Sequence, residues 1–177
     1  VADALEDMMG ESMLESLSQA ADTATFERTV DMVTTMATLP DLREQVQARL
    51  DAVIGDDTRV VVAHSLGTLV SWTALAHHPD WPVNTLVTLG SPLASSMMFD
   101  RLDPAPVDGQ GAWPGSVEHW VNVAAVGDRV ATTPVSERFG DRVEDHVVDN
   151  AHRAHAPEPY LNNPVTGGAV LRGLGQG

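Results

Sequence analysis

The chain has 177 residues, enough for one domain with a sizeable hydrophobic core and too few for two domains of ordinary size. Hydrophobic residues make up 43% of it, which excludes the composition of a disordered chain, and the absence of cysteine excludes disulfides, thiolate metal sites and cysteine nucleophiles. The net charge of -15 argues against nucleic acid as a partner, because an acidic surface repels phosphate backbones.

The first third of the chain, residues 1–55, is predicted to be helical. Apolar residues recur at helical spacing from Val1 to Leu17 and again from Thr25 to Thr38. Pro40 is predicted to begin a third helix, which Gly55 ends. The methionine-rich first stripe fits either core packing or a lid over an apolar substrate site.

From Thr58 onward, short apolar runs alternate with helical segments and turns. In chain order we predict a doubly buried strand at Arg59–Ala63, a helix at Leu66–His77, a buried strand at Thr85–Leu89, a loop-rich insertion at 94–116, strands at Glu118–Val126 and Val143–Asp149, and a closing helix within Leu161–Leu174. This alternation predicts an α/β fold, with a mostly parallel sheet flanked by helices and a functional core over residues 58–174.

The first strand runs directly into Ser65, and a helix starts directly after it. This is the layout of a nucleophile elbow, a tight turn that strains the serine backbone and lifts its hydroxyl above the sheet edge. The residues two before and two after the serine have to be small, and Ala63 and Gly67 meet that requirement. The helix start favours a developing oxyanion, with the backbone amide of Leu66 as one donor. The alternative is that Ser65 merely caps the helix.

The segment Ala63-His64-Ser65-Leu66-Gly67 resembles the elbow of lipases and related esterases of the α/β-hydrolase superfamily, many of which have alanine at its first position. After the next strand, Gly90-Ser91-Pro92 is similar to a turn that lies beside the pocket in the lipase branch. The resemblance covers 58–174 and implies a serine hydrolase of carboxylic esters, lipid or acyl esters among them, that works through an acyl-enzyme on Ser65 without a cofactor.

An apolar acyl pocket is expected near the elbow and near the end of the second strand. Its candidate lining residues share this position in the predicted fold, although packing explains their apolar members equally well; they are His64, Ser91, Leu93, Met97, Met98 and Phe99.

The triad of this superfamily follows the order serine, acid, histidine along the chain. Asp128 comes just after the third predicted strand and resembles the Asp-x-Val turn that carries the acid in lipase-like relatives. Its role would be to orient the histidine and to stabilise the imidazolium. The alternative for Asp128 is a turn cap or a pair with Arg129, and Asp103 and Asp149 are weaker rivals.

Three histidines follow the predicted acid. His155 lies in a segment that resembles the histidine loop of the family and is the predicted base, with His152 of the same loop as the alternative. His146 falls inside a predicted strand and fits the role least. These histidines, together with Asp145 and Asp149, are also zinc-ligand types, but their spacing matches no tight ligand motif, so we expect no metal.

A complete member of the superfamily has several strands ahead of the elbow, and a loop after one of them supplies the second oxyanion donor. The residues before Thr58 are predicted to be helical, so these strands are lacking from the predicted fold. We expect the chain to be the carboxy-terminal part of a larger hydrolase, with the missing N-terminal part as its partner, or to complete its sheet as a homodimer.

The expected substrate is a small-molecule ester or acyl compound. We expect no transmembrane segment, because no stretch approaches the roughly 18 apolar residues of a membrane span. No signal peptide is recognisable, which favours a cytoplasmic location. Two other functions fit the same residues: an acyltransferase or thioesterase that uses this triad, and a non-catalytic interaction module with a hydrolase fold.

Overall fold

The computed structural model of the chain describes residues 40–175, with side chains described from residue 44 onward. The two helices predicted ahead of Pro40, and the methionine-rich stripe with them, lie outside the described residues. The chain divides into two compact units, Val1–Val53 and Ile54–Gly177. All strands of the described chain lie in the second unit, and the organisation of 1–177 as a single domain stays a prediction.

Four strands and six α-helices make up the regular structure of the described residues. The strands are β1 Val60–His64, β2 Thr85–Leu89, β3 His119–Ala125 and β4 Val143–Val148. The helices are α1 Pro40–Asp51, α2 Gly67–His77, α3 Ser96–Phe99, α4 Ser136–Phe139, α5 Pro157–Leu161 and α6 Pro164–Gly173, with a 3-10 turn at Ala151–Arg153.

The closing helix predicted from the sequence is two helices, α5 and α6, in the structure. Asn163 separates them, and its side-chain oxygen accepts a hydrogen bond from the backbone nitrogen of Val165 at 3.0 Å. Pro164 follows in the first turn of α6, where its fixed backbone angle suits a helix start. The short helices α3 and α4 were not anticipated, because four residues are too few to show a helical period.

The four strands form one sheet in the order β1-β2-β3-β4, and every neighbouring pair is parallel. This confirms the predicted α/β fold class. Parallel strands end at the same edge of the sheet, and ligands of such sheets bind outside that carboxyl edge. The residues that follow β1, β2 and β3 are therefore brought together: Ser65 after β1, Gly90 after β2 and Asp128 after β3.

The prediction that the first strand is buried on both faces is wrong for β1. In the described part of the chain β1 lies at an edge of the sheet and pairs with β2. Val62 is 37% exposed, whereas all five residues of β2 are buried. The apolar runs of β1 and β2 have a similar pattern in the sequence. Their burial differs because β2 has a strand on each side, whereas β1 has one neighbouring strand in the described part of the chain.

The core occupies both faces of the sheet. Successive residues of a strand point to opposite faces, so Leu86 and Val87 of β2 belong to separate clusters. On one face α2, α3 and α4 contribute Trp72, Leu75, Phe99 and Phe139 to the cluster of Leu86. On the other face α5 and α6 contribute Tyr160 and Ala169 to the cluster of Val87.

A close approach between α6 and the sheet depends on a glycine. A Cβ atom added to Gly173 would lie 2.6 Å from the Thr85 hydroxyl and 2.6 Å from a methyl group of Val60. Atoms in a packed core cannot yield that much space without moving the helix. Gly168 on the same helix is exposed, and an added Cβ there would meet no heavy atom of the described residues within 4 Å.

We expect Gly173→Ala to lower the free energy of unfolding by about 1 to 3 kcal/mol, because the methyl group overpacks the contact between α6 and the sheet. The matched variant Gly168→Ala is expected to raise it by about 0.5 to 1 kcal/mol through the loss of unfolded-state entropy. Urea unfolding of the two variants measures both effects. Equal stabilisation by the two substitutions would contradict this packing.

Candidate active site

Ser65 adopts the strained backbone of a tight turn between β1 and α2. Its φ is 52°, in the left-handed region that non-glycine residues rarely occupy. Two contacts hold the turn: the Ser65 amide donates to the carbonyl of Leu89 at 2.9 Å, and its carbonyl accepts from the Thr68 hydroxyl at 2.6 Å. The N-cap of α2 is Leu66, with no side-chain cap, so the alternative of Ser65 as a helix cap is wrong.

The small residues on either side of Ser65 have different environments. Ala63 is buried in β1, as the elbow layout requires. A Cβ atom added to Gly67 would meet no heavy atom within 4 Å among the described residues beyond its own helix and chain neighbours. The expected steric reason for glycine at 67 is thus not found in the described part of the chain.

Ser65, His155 and Asp128 form a continuous chain of hydrogen bonds. The Nε2 atom of His155 lies 2.9 Å from the Ser65 Oγ atom. Its Nδ1 atom lies 2.9 Å from Oδ2 and 3.0 Å from Oδ1 of Asp128. Because an ionised carboxylate only accepts hydrogen bonds, Nδ1 carries the hydrogen and Nε2 is left to accept the proton of the serine hydroxyl. This arrangement can activate a serine oxygen as a nucleophile.

The Asp128 carboxylate is buried and well supplied with donors. Its Oδ1 atom accepts from the backbone nitrogens of Val130 at 2.8 Å and Ala131 at 3.3 Å, and its Oδ2 atom accepts from the Tyr160 hydroxyl at 2.6 Å. Burial by itself raises the pKa of this carboxyl, but the hydrogen bonds and charge of His155 and the bonds from Tyr160 and Val130 outweigh it and hold the pKa below its ordinary value.

Gly90 leaves room for the hydrogen-bonded pair of Asp128 and His155. Its φ is 56°, and an added Cβ would lie 3.0 Å from Oδ2 of Asp128 and 3.1 Å from Nδ1 of His155. The sequence assigned the turn at Gly90 to the edge of a substrate pocket and did not anticipate this role. A glycine immediately after a buried strand was the available signal, because such a position often marks a close approach.

His64 contacts the loop that carries His155. Its Nε2 atom lies 2.9 Å from the carbonyl oxygen of His155, so Nε2 donates the hydrogen. The ring centroids of the two histidines are 4.8 Å apart, and the ring of Tyr160 lies 5.9 Å from that of His64. Burial, followed by the charge of His155, lowers the pKa of His64 to about 4, so this imidazole is neutral near pH 7.

Leu93, Met98 and Phe99 are buried, and Leu93 and Phe99 belong to the hydrophobic core cluster on the α2 side of the sheet. For Leu93 and Phe99 the structure therefore agrees with the alternative that these side chains pack in the core. Ser91 is buried too, with its Oγ atom 2.9 Å from the Thr68 hydroxyl. Met97 is partly exposed, and an acyl pocket that includes it stays a prediction.

The rival histidines lie apart from the hydrogen-bonded chain. His152, the alternative base, is exposed in the 3-10 turn after β4. His146 lies within β4 as predicted, and its side chain is 41% exposed. Its Nε2 atom lies 4.0 Å from Oε2 of Glu144. The structure thus brings His155 to Ser65 and leaves the other two elsewhere.

The rival acids have other partners. The Oδ2 atom of Asp103 lies 3.4 Å from Nε2 of His77, and Asp149 accepts a hydrogen bond from the Ala151 amide at 2.8 Å. Asp145 accepts from backbone amides at the start of α4. Within the part of the chain that the structure describes, no three His, Asp or Glu side chains gather closely enough to bind a metal ion, and no helix has the length and apolar character to cross a membrane.

Comparison with known proteins agrees with this architecture. A family model described as the alpha/beta hydrolase fold matches residues 19–162. The matched range includes all three residues of the hydrogen-bonded chain, Ser65, Asp128 and His155, together with His64 and Tyr160. No curated protein and no solved structure gives a significant match.

The half-buried His64 makes the free energy of unfolding depend on pH. Its pKa is about 4 when folded against 6.5 for a free histidine, so between these values the unfolded chain binds a proton that the folded chain does not. We therefore expect the free energy of unfolding to fall by on the order of 3 kcal/mol as the pH drops from about 6.5 to about 4. We expect His64→Gln, which keeps a donor but does not titrate, to remove this part of the slope.

Urea unfolding at several pH values in this window measures the effect, with exposed His152→Gln as the matched control. The control is expected to follow the wild-type slope. If His64→Gln also follows it, the burial of a neutral His64 is contradicted.

Proposed function

Because this chain belongs to the α/β-hydrolase fold family, we propose that it is a serine hydrolase that cleaves carboxylic esters through an acyl-enzyme on Ser65. The observation that carries the proposal is the hydrogen-bonded chain from Asp128 through His155 to a serine on a strained turn. A helix cap or a core serine would need neither the strain nor the imidazole. Functional sites are where such local strain accumulates.

In the first half of the proposed reaction, the Ser65 oxygen attacks the carbonyl carbon of the ester while His155 Nε2 takes the hydroxyl proton. The carbonyl oxygen becomes an oxyanion, which the backbone amide of Leu66 and the amino end of α2 stabilise. When the carbon–oxygen bond to the alcohol breaks, His155 returns the proton to the leaving oxygen. The products are an alcohol and an acyl group esterified to Ser65.

In the second half, His155 takes a proton from water, and the resulting hydroxide attacks the acyl carbon. The bond to Ser65 then breaks, the proton returns to its oxygen, and a carboxylic acid leaves. Asp128 stabilises the imidazolium that forms in each half. Its side chain is 0% exposed and that of His155 is 15% exposed, so the carboxylate is shielded from water while the imidazole can reach a substrate.

The net charge of -15 supports a neutral small-molecule ester as the substrate, because a polyanion would be repelled. Partly exposed Met97 is the side chain of the predicted acyl pocket that fits contact with an apolar acyl group. The second hydrogen-bond donor to the oxyanion would be a residue other than Leu66 and the other residues that have a role in the proposed mechanism.

A fluorophosphonate probe, which phosphonylates an activated serine, tests the nucleophile. We expect labelling of the wild type and none of Ser65→Ala, because the activated oxygen is lost. Ser96→Ala removes an exposed serine hydroxyl and is expected to label like the wild type. Equal labelling of Ser65→Ala and the wild type would show that the reactive serine is another residue. A wild type that does not label would contradict the proposed activity.

The assignment of the base is tested by hydrolysis of a p-nitrophenyl ester. We expect His155→Ala to lower kcat by at least about 10³-fold, and Asp128→Asn by about 10³- to 10⁴-fold. His152→Ala is the matched control and is expected to stay within about twofold of wild type, because its side chain is exposed in the 3-10 turn after β4. Loss of activity in His152→Ala alone would reverse the assignment.

A further inference from the structure

Tyr160 is the only tyrosine in the sequence, and it is fully buried. Its hydroxyl donates to Oδ2 of Asp128 at 2.6 Å and accepts from the backbone nitrogen of Ala125 at 2.9 Å. The mechanism proposed above uses neither contact. A buried hydroxyl with a charged acceptor in reach makes a stronger hydrogen bond than one between neutral groups.

The Ala125 amide fixes the direction of the tyrosine proton. A backbone N–H can only donate, so it occupies a lone pair of the phenol oxygen and leaves the O–H bond free to point at the carboxylate. Burial, followed by the hydrogen bond and charge of Asp128, raises the pKa of Tyr160 above its ordinary value. The phenol therefore stays protonated and remains a donor over the working pH range.

These contacts join three parts of the site. Ala125 is the last residue of β3, Asp128 lies in the turn that follows, and Tyr160 lies on α5, the helix that follows His155. The amides of Val130 and Ala131 occupy Oδ1 of the carboxylate, while Tyr160 occupies Oδ2. With donors on both oxygens, the carboxylate cannot rotate about its Cβ–Cγ bond without breaking hydrogen bonds.

We propose that Tyr160 is a positioning residue for the acid of the proposed triad, an inference that rests on the proposed function. Its hydroxyl holds Oδ2 of Asp128 in line with the Nδ1–H bond of His155 and shares the negative charge of the carboxylate. The hydroxyl also anchors α5 to the end of β3, which fixes the loop that carries the base. The tyrosine acts through Asp128 and does not touch the reacting atoms.

A purely structural role is the alternative, because the ring of Tyr160 also packs in the core cluster of Val87 and Val121. Tyr160→Phe keeps that ring and removes the hydroxyl. Thr166→Val is the matched control: Thr166 is buried, and its hydroxyl donates to the backbone carbonyl of Tyr160 at 2.8 Å. Both variants lose one buried hydroxyl near α5, but the control leaves the carboxylate untouched.

The experiment measures ester hydrolysis per fluorophosphonate-titrated site, so partial unfolding does not alter the result. We expect Tyr160→Phe to lower kcat by about 10- to 100-fold with KM within about twofold, the size of effect of a hydrogen bond to a charged group. A loss confined to kcat is the signature of positioning, because the tyrosine acts on the acid and not on substrate binding. Thr166→Val is expected to stay within about twofold of wild type in both kcat and KM.

The Asp128→Asn background provides a second measurement. There, Tyr160→Phe is expected to change kcat by less than about twofold, because the carboxylate that it positions is gone. Wild-type kinetics in Tyr160→Phe, or an equal loss in Thr166→Val, would overturn the positioning role while leaving the hydrolase intact. An unlabelled, inactive wild type would instead overturn the proposed function.

Discussion

The site depends on one strained residue. A φ of 52° at Ser65 costs on the order of 1 to 3 kcal/mol in a non-glycine residue, and it persists because neighbouring contacts determine it. The carbonyl of Leu89 binds the serine amide from the next strand, and the Thr68 hydroxyl binds its carbonyl from the first turn of α2. These contacts set the direction of the Ser65 side chain, and hence the 2.9 Å approach to His155.

The parallel sheet supplies the rest of the geometry. Strands that end at a common edge bring Ser65, the glycine turn and Asp128 to one place, although Ser65 and Asp128 are 63 positions apart in the sequence. The acid is stable there as an anion because amide, phenol and imidazole donors surround it. A buried carboxylate without such donors would take up a proton and lose its ability to stabilise an imidazolium.

The sequence predicted those parts of the site that are local along the chain. A β-branched run followed by a serine and a helix predicts the turn at Ser65. The position after the third strand and the resemblance to the Asp-x-Val turn of the family predict Asp128, and the resemblance to its histidine loop predicts His155. The lack of predicted strands ahead of the first strand implies that β1 lies at a sheet edge, whereas its apolar run by itself favours burial on both faces, because exposure depends on the neighbours of the strand and not on its residues. The roles of Gly90 and Tyr160 arise from contacts between segments distant in sequence, which no local pattern encodes.

The neutral state of His64, the neighbour of Ser65, has a consequence for the proton transfer of the proposed mechanism. His64 donates a hydrogen bond to the backbone carbonyl of His155 while remaining uncharged near pH 7. A lysine or arginine at that position would donate as well, but its permanent charge would oppose the cation that the proposed mechanism forms on the adjacent imidazole of His155. The side chain of His64 thus fixes the loop of His155 without placing a charge beside the imidazole that the proposed mechanism protonates.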